Sequence, residues 1–237
     1  MKNSTKSIEV SLKEVGALAG YAMECLVKAS LEQIPYWLYH KKEFRENLLK
    51  AFAIDENIQE RKFASQFYKN HLGWDVDFSR VSVPLKPTEG RWILLFIAEG
   101  LTANKMYNAW NFAKWKYADD LDKAVPTHKR IAKESYAIWV RDGVEPDEEF
   151  LGKSTRDADP NMEIGMTLPE RLVFEQWYLD LTGEHPDKKG VTFCTASRNV
   201  DGDVPDVSWD PYCQEVDVNW YYVGDSDPQC GLRRAVS

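Results

Sequence analysis

The sequence predicts an α+β protein, with a helical module over residues 1–75 and a sheet-bearing domain over residues 76–237. Three observations predict it. Capping boxes open runs of helix-spaced apolar residues at Ser11-Leu12-Lys13-Glu14 and Thr167-Leu168-Pro169-Glu170. The periodicity changes from helix-like to strand-like near Val81. The 47 residues from Val191 to Ser237 alternate short strand-like runs with turns.

In the first module, Val15, Leu18, Ala19, Ala22 and Leu26 follow helical spacing behind their cap. A second helix is expected from about Tyr36 to Phe52 and a third from about Asn57 to His71, punctuated by Pro35 and by Leu72-Gly73. Residues 10–72 hold nine Lys/Arg and eight Asp/Glu, so this stretch is nearly neutral. It reads as a separate piece for docking or self-association, which would make the protein a homo-oligomer.

Beyond it, Val81-Ser82-Val83 and Arg91–Ala98 read as strands, the second apolar enough to be buried on both faces. Thr102 can cap a short helix with Met106, Ala109, Trp110 and Ala113 in one stripe. Ser135–Arg141 reads as a strand and residues 142–166 as a long acidic loop. The helix behind the second capping box has Pro169 in its first turn, puts Phe174, Trp177, Tyr178 and Leu181 on one side and stops at Gly183. Strands are then expected at about Thr192–Ala196, Val204–Trp209, Glu215–Tyr222 and Leu232–Val236.

Charge narrows the function. The chain carries a formal net charge of -8. Nucleic acid and anionic membranes are therefore not expected partners, since both need a basic surface. Residues 191–237 account for -5 of that charge, the preceding 190 for only -3. No apolar run approaches a membrane span, and MKNSTKSIEV lacks the apolar region of a signal peptide, so a cytoplasmic location is the default expectation, with surface display left open.

In the acidic tail, Val216, Val218, Trp220 and Tyr222 should share one strand face, and Asp217, Asn219 and Tyr221 the other. In the preceding strand Val207 and Trp209 oppose Asp206, Ser208 and Asp210. The polar sets would stand together, flanked by Asn199, Asp201, Tyr212, Asp225 and Asp227. Tyr and Trp give large contact area at little entropic cost, and Asp, Asn and Ser give adaptable hydrogen bonds, the composition of a binding surface. An ordinary solvated strand face is the plainer alternative.

The order of the helix TLPERLVFEQWYLDLTG, then TFCTASR, DGDVPDVSWD, VDVNWYY and terminal GLRRAVS resembles C-type lectin-fold proteins of the formylglycine-generating-enzyme type. More narrowly, it resembles the variable proteins of diversity-generating retroelements, in which codons near the C-terminus are randomised by error-prone reverse transcription. The resemblance covers about residues 80–237. It implies a frame of Trp209, Trp220, Gly231, Leu232, Arg233 and Ala235. It implies a ligand-facing set of Asn199, Asp201, Asp206, Ser208, Asp210, Tyr212, Asp217, Asn219, Tyr221 and Asp225. The expected function is non-enzymatic binding, most readily of a protein ligand, with no cofactor. The enzyme branch would carry two closely spaced cysteines near its end, whereas Cys213 and Cys230 stand 17 apart.

Other readings are weaker. Asn199, Asp201 and Asp203 imitate the start of a calcium loop, but Val204 replaces the needed Gly and Asp210 the closing Glu. Glu145-Pro146-Asp147 imitates a sugar–calcium motif but precedes the capped helix and lacks a partner motif. His40, His71, His128 and His185 show no zinc spacing, and the four cysteines Cys25, Cys194, Cys213 and Cys230 form no CxxC. Free thiols are expected, with a Cys213–Cys230 bridge as the alternative. Cys194 reads as a small buried apolar group rather than a nucleophile, and Trp92, Trp110, Trp115, Trp139 and Trp177 as core. Two rivals remain: an enzyme of the sulfatase-modifying superfamily, and a phage-derived or regulatory interaction protein acting through its helical module.

Overall fold

The computed structural model describes residues 39–41 and 56–237. By contacts the chain divides into two units, residues 1–56 and 57–237. The two helices expected before Asn57 lie almost wholly outside the described residues. The second unit is a mixed α+β structure, as the sequence implied.

Its first element is α1, Ile58–Leu72, ended by Gly73 in the left-handed conformation. It packs Ala64, Phe67 and Tyr68 into the main core. The boundary drawn from the sequence after residue 75 thus follows a helix whose apolar side faces the residues beyond it. Strands β1 (Trp92–Ile97) and β4 (Tyr136–Arg141) pair antiparallel, and β10 (Ala235–Val236) adds to β4. A second, mixed sheet runs β2 (Lys114–Lys116), β8 (Glu215–Tyr221), β7 (Val204–Asp210), β5 (Val191–Phe193), β9 (Cys230–Leu232). Short strands β3 (Thr127–His128) and β6 (Ser197–Arg198) pair separately.

Between the two larger sheets lies α5, Leu168–Thr182. Its cap is the one the sequence wrote: Thr167 Oγ1 accepts from the Glu170 amide while the Glu170 carboxylate accepts from the Thr167 amide. Every residue from Leu168 to Tyr178 except Pro169 is buried, so this helix is core on nearly all sides rather than along one stripe. Trp177 meets Phe63 and Phe67 of α1 at ring-centroid distances of 4.8 and 5.0 Å. The hydroxyl of Tyr68 ties α1 to the end of β1, donating to the Phe96 carbonyl at 2.9 Å and accepting from the Ala98 amide at 3.1 Å. Tyr68→Phe leaves both backbone groups unpaired in a dry core. It should cost about 1–3 kcal/mol, measured by chemical denaturation; an unchanged midpoint would remove this tie from the account.

The structure corrects several expectations. Val81–Val83 forms no strand. Its valines are partly buried, but the chain turns back through the Val81 amide to Phe78 O, and Pro84 has no amide to give a ladder. Helix α2, Ala103–Ala109, stops short of Ala113, which is exposed and outside the expected stripe. The run 232–236 is two strands in two sheets, divided where Arg233 turns inward. The region 114–134, left unassigned by the sequence, supplies β2, α3 (Leu121–Ala124) and β3. The acidic stretch 142–166 holds a 3-10 turn at Glu148–Phe150 and a short helix α4, Thr155–Ala158.

The last part of that stretch is ordered by a buried carboxylate. Asp159 accepts from the amides of Glu163, Ile164 and Gly165 and from Thr195 Oγ1 at 2.6 Å. A Cβ on Gly165 would stand 2.0 Å from the same hydroxyl oxygen, which is why no side chain fits there.

Candidate functional site: one face of the mixed sheet

The β7–β8 ladder pairs Asp206 with Asn219, Ser208 with Asp217 and Asp210 with Glu215. Directly opposed residues of an antiparallel pair share a face. Asp206, Ser208, Asp210, Asp217, Asn219 and Tyr221 therefore lie on one side, as the alternation implied. Val207, Trp209, Val216, Val218 and Trp220 lie on the other, where Val207, Val216 and Val218 are fully buried.

The polar side is not uniformly open. At one end Phe193, Val204 and Cys230 form a small buried cluster with Val191, Tyr221 and Val223 packed on it. The 142–166 stretch closes over this end. The Gly152 amide donates to Cys230 O, and the Arg156 amide and the Thr155 hydroxyl donate to Val223 O. Gly231 lies so close to Phe150 and Leu151 that a Cβ would meet both at 3.3 Å. Along β7 the covering thins: Val204 is fully buried, Asp206 is 6% exposed, and Ser208 and Asp210 are half-buried. The open half lies toward the β7–β8 hairpin, where Tyr212 is 95% exposed.

The expected ligand-facing residues therefore divide into groups. Ser208, Asp217 and Asn219 are half-buried on the open strand face. Asp210 flanks them, but its carboxylate accepts from the Tyr212 and Cys213 amides and so holds the hairpin turn. Asp206 lies at the boundary of the covered end. Tyr221 belongs to the covered end, its ring 5.4 Å from that of Phe193. Asn199 is 5% exposed, and its side-chain oxygen accepts from the Asp201 and Asp203 amides, closing its own loop. Asp201 and Asp225 are exposed on loops at the β7 start and β8 end, away from the hairpin.

Two aromatic expectations change. Tyr222 falls outside β8 and is 56% exposed beside the Arg156 guanidinium, not turned inward. Trp115 is 43% exposed rather than core. Strand β2 joins the edge of β8 in parallel and pairs Trp115 with Asp217, which puts the indole on the polar face. The signal was present as Lys114-Trp115-Lys116, an apolar residue between two charges. It becomes readable only once β8 is known to be the neighbour.

The electrostatics of this face are one-sided. Asp206 Oδ2 is buried without a hydrogen-bond partner. Burial, with repulsion from Asp217, pushes its carboxyl up to about 7. Asp217 is raised too, by burial and then by Glu215 and Asp210. Lys114 and Lys116 are paired in register with Val216 and Val218 on the opposite side, and their ammonium groups donate to the carbonyls of Tyr107, Trp110 and Asp119. Among the described residues no cation forms an ion pair with Asp206, Asp210, Glu215 or Asp217.

Beneath the sheet a chain of charges fixes the frame. Arg233, fully buried, donates to Asp187 Oδ1 at 2.7 Å and to the Gly143 and Val144 carbonyls. Asp187 Oδ2 accepts from Arg171, which also pairs with Glu175 at 2.8 Å. Glu175 holds His185, whose ring stacks on Trp209 at 3.9 Å between centroids. Trp220 packs on Tyr117 at 4.5 Å between ring centroids.

The remaining motifs serve structure. The Glu145 carboxylate accepts from the Lys189 and Gly190 amides, and Asp147 from the Arg234 amide. Cys194 is fully buried, and burial holds its thiol well above the usual range, so it is a poor nucleophile. Cys213 and Cys230 are both free thiols, the first exposed and the second buried. Among the described residues no group of three or more His, Cys, Asp or Glu could hold a metal ion, and no helix is long and apolar enough to cross a membrane.

No family model matches this chain, and neither the curated proteins nor the solved structures contain a match to it.

Proposed function

We propose that the protein is a non-enzymatic binding protein. Residues 76–237 form a C-type lectin-like frame whose mixed-sheet face takes a protein ligand, in the manner of the variable proteins of diversity-generating retroelements. The observation that carries this reading is the division of labour across the β7–β8 ladder. Polar and aromatic residues stand on one side, and on the other Val207, Val216 and Val218 are sealed in the core. Side chains on the open half can change without opening a cavity, while the frame beneath is held by the Arg171–Asp187–Arg233 chain. Such a surface separates specificity from stability. Its Asp, Asn, Ser, Tyr and Trp content is that of adaptable recognition surfaces.

Two measurements test the reading. Sequencing codons 190–237 of this gene across a host population should show substitutions gathered at positions of the open half such as Tyr212, Asp217 and Asn219, with Trp220 and Gly231 fixed. A uniform sequence would remove the retroelement part. On the purified protein, Tyr212→Ala and Asn219→Ala should each move stability by less than about 0.5 kcal/mol, as surface changes do, and Asp217→Asn, which removes a raised carboxyl and its repulsion of Asp206, should not destabilise. Trp220→Ala should cost roughly 1–3 kcal/mol through lost packing. The reverse order would place the structural load on the face and overturn the division.

A further inference from the structure

The open half of the sheet face has an unusual imbalance. Asp206, Asp217, Glu215 and Asp210 follow one another across two paired strands, and none has a cationic partner among the described residues. Asp210 is engaged by the hairpin amides. Asp206 is not engaged: it is 6% exposed and its Oδ2 is buried with no donor. An unpaired buried carboxylate is costly and calls for an explanation, and completion by a cationic partner is the one its neighbours favour. Beside Asp217 in register stands Trp115, 43% exposed, its indole in edge contact with the Tyr117 ring at 6.2 Å between centroids. An aromatic face next to unpaired carboxylates is the chemistry that recognises a guanidinium or an ammonium group. The planar guanidinium suits it better, since it can stack on the indole while its fork donates to a carboxylate.

Resting on the binding reading above, we infer that this strip receives a basic side chain of the protein ligand, with Asp217 and Asp206 taking its charge and Trp115 its flat face. The ligand surface is therefore basic, opposite in sign to the acidic tail of this chain. That complementarity also favours rapid, salt-sensitive association. The partly protonated state of Asp206 near neutrality adds a pH dependence. Of the titratable groups that bear on it, Asp217 comes from β8, Tyr221 and Cys230 lie at the covered end, and Cys194, just past β5, is fully buried. Loss of its proton strengthens the site as pH rises through 7.

The test is selection of a random phage-displayed peptide library on the full-length protein at about pH 8, where Asp206 is ionised. Selected peptides are then measured against Tyr212→Ala, Trp115→Ala, Asp217→Asn and Asp206→Asn. The expected result is enrichment of Arg over Lys and of both over the starting library. Affinities should fall at least roughly tenfold in Asp217→Asn and Asp206→Asn, and fall with added salt. Asp206→Asn is informative because it should fold more stably than the wild type, so lost binding cannot be attributed to unfolding. Peptides that bind this face, as judged by Tyr212→Ala or Trp115→Ala, but carry no basic excess would overturn the inference and leave the binding reading standing. So would basic peptides indifferent to both carboxamide variants. Peptides unaffected by any of the four substitutions would overturn both.

Discussion

Asp206→Asn should make the protein more stable at pH 8 by roughly 2–4 kcal/mol, and should change stability little at pH 4. The carboxyl moves from an ordinary 3.8 in the unfolded chain to about 7 in the folded one, because burial and the neighbouring Asp217 both disfavour its charge. Below about pH 4 it is protonated in both states and contributes no penalty. Between 3.8 and about 7 the unfolded chain ionises and the folded chain does not, so stability falls as pH rises. Above that window the loss is complete and constant, about 4 kcal/mol as an upper figure. The carboxamide occupies nearly the same volume and never ionises, so the variant lacks this slope. Chemical denaturation of both proteins across the window measures the difference. Parallel curves for wild type and variant would mean that Asp206 is solvated or paired in solution.

The second large effect lies beneath the sheet. Asp187→Ala should destabilise the protein by about 3–5 kcal/mol, because it leaves two buried guanidiniums, Arg171 and Arg233, without their shared carboxylate. All three side chains are fully buried, so water cannot replace the lost charge. Asp187→Asn should recover only part of this, since it restores shape and hydrogen bonding but not charge. Lys188→Ala, next in sequence, breaks only the exposed pair with Glu184 and should move stability by less than about 0.5 kcal/mol. A small loss in Asp187→Ala would mean that the Gly143 and Val144 carbonyls alone suffice for Arg233. Replacing Arg171, Glu175, Asp187 and Arg233 together by apolar residues of matching volume should cost less than the single change, because no buried charge of that chain is then stranded.

Both effects come from groups whose importance the sequence conceals. The mixed α+β class, the capped helix at Thr167, the buried strand over Trp92–Ile97 and the two faces of β7 and β8 were all legible. Each is set by local physics: an N-cap that accepts its own amide, an apolar run long enough for one strand, an alternation of period two. The same local rules went astray where the chain's partner was remote. Val81–Val83 has the residues of a strand but no neighbour to pair with. The run at Leu232–Val236 is split because the Arg233 side chain enters the core to reach Asp187, 46 residues earlier in the chain.

What the sequence by itself determined is which side of the β7–β8 ladder each residue would take, because side-chain direction in a strand follows from covalent geometry alone. Only the tertiary structure decided which part of that side is open. The 142–166 stretch covers the end bearing Phe193, Val204 and Tyr221, and strand β2 brings Trp115 to the end bearing Asp217. Those are contacts between segments dozens of residues apart. Burial, and with it the unsatisfied charge of Asp206, is a property of such contacts and of no residue taken singly.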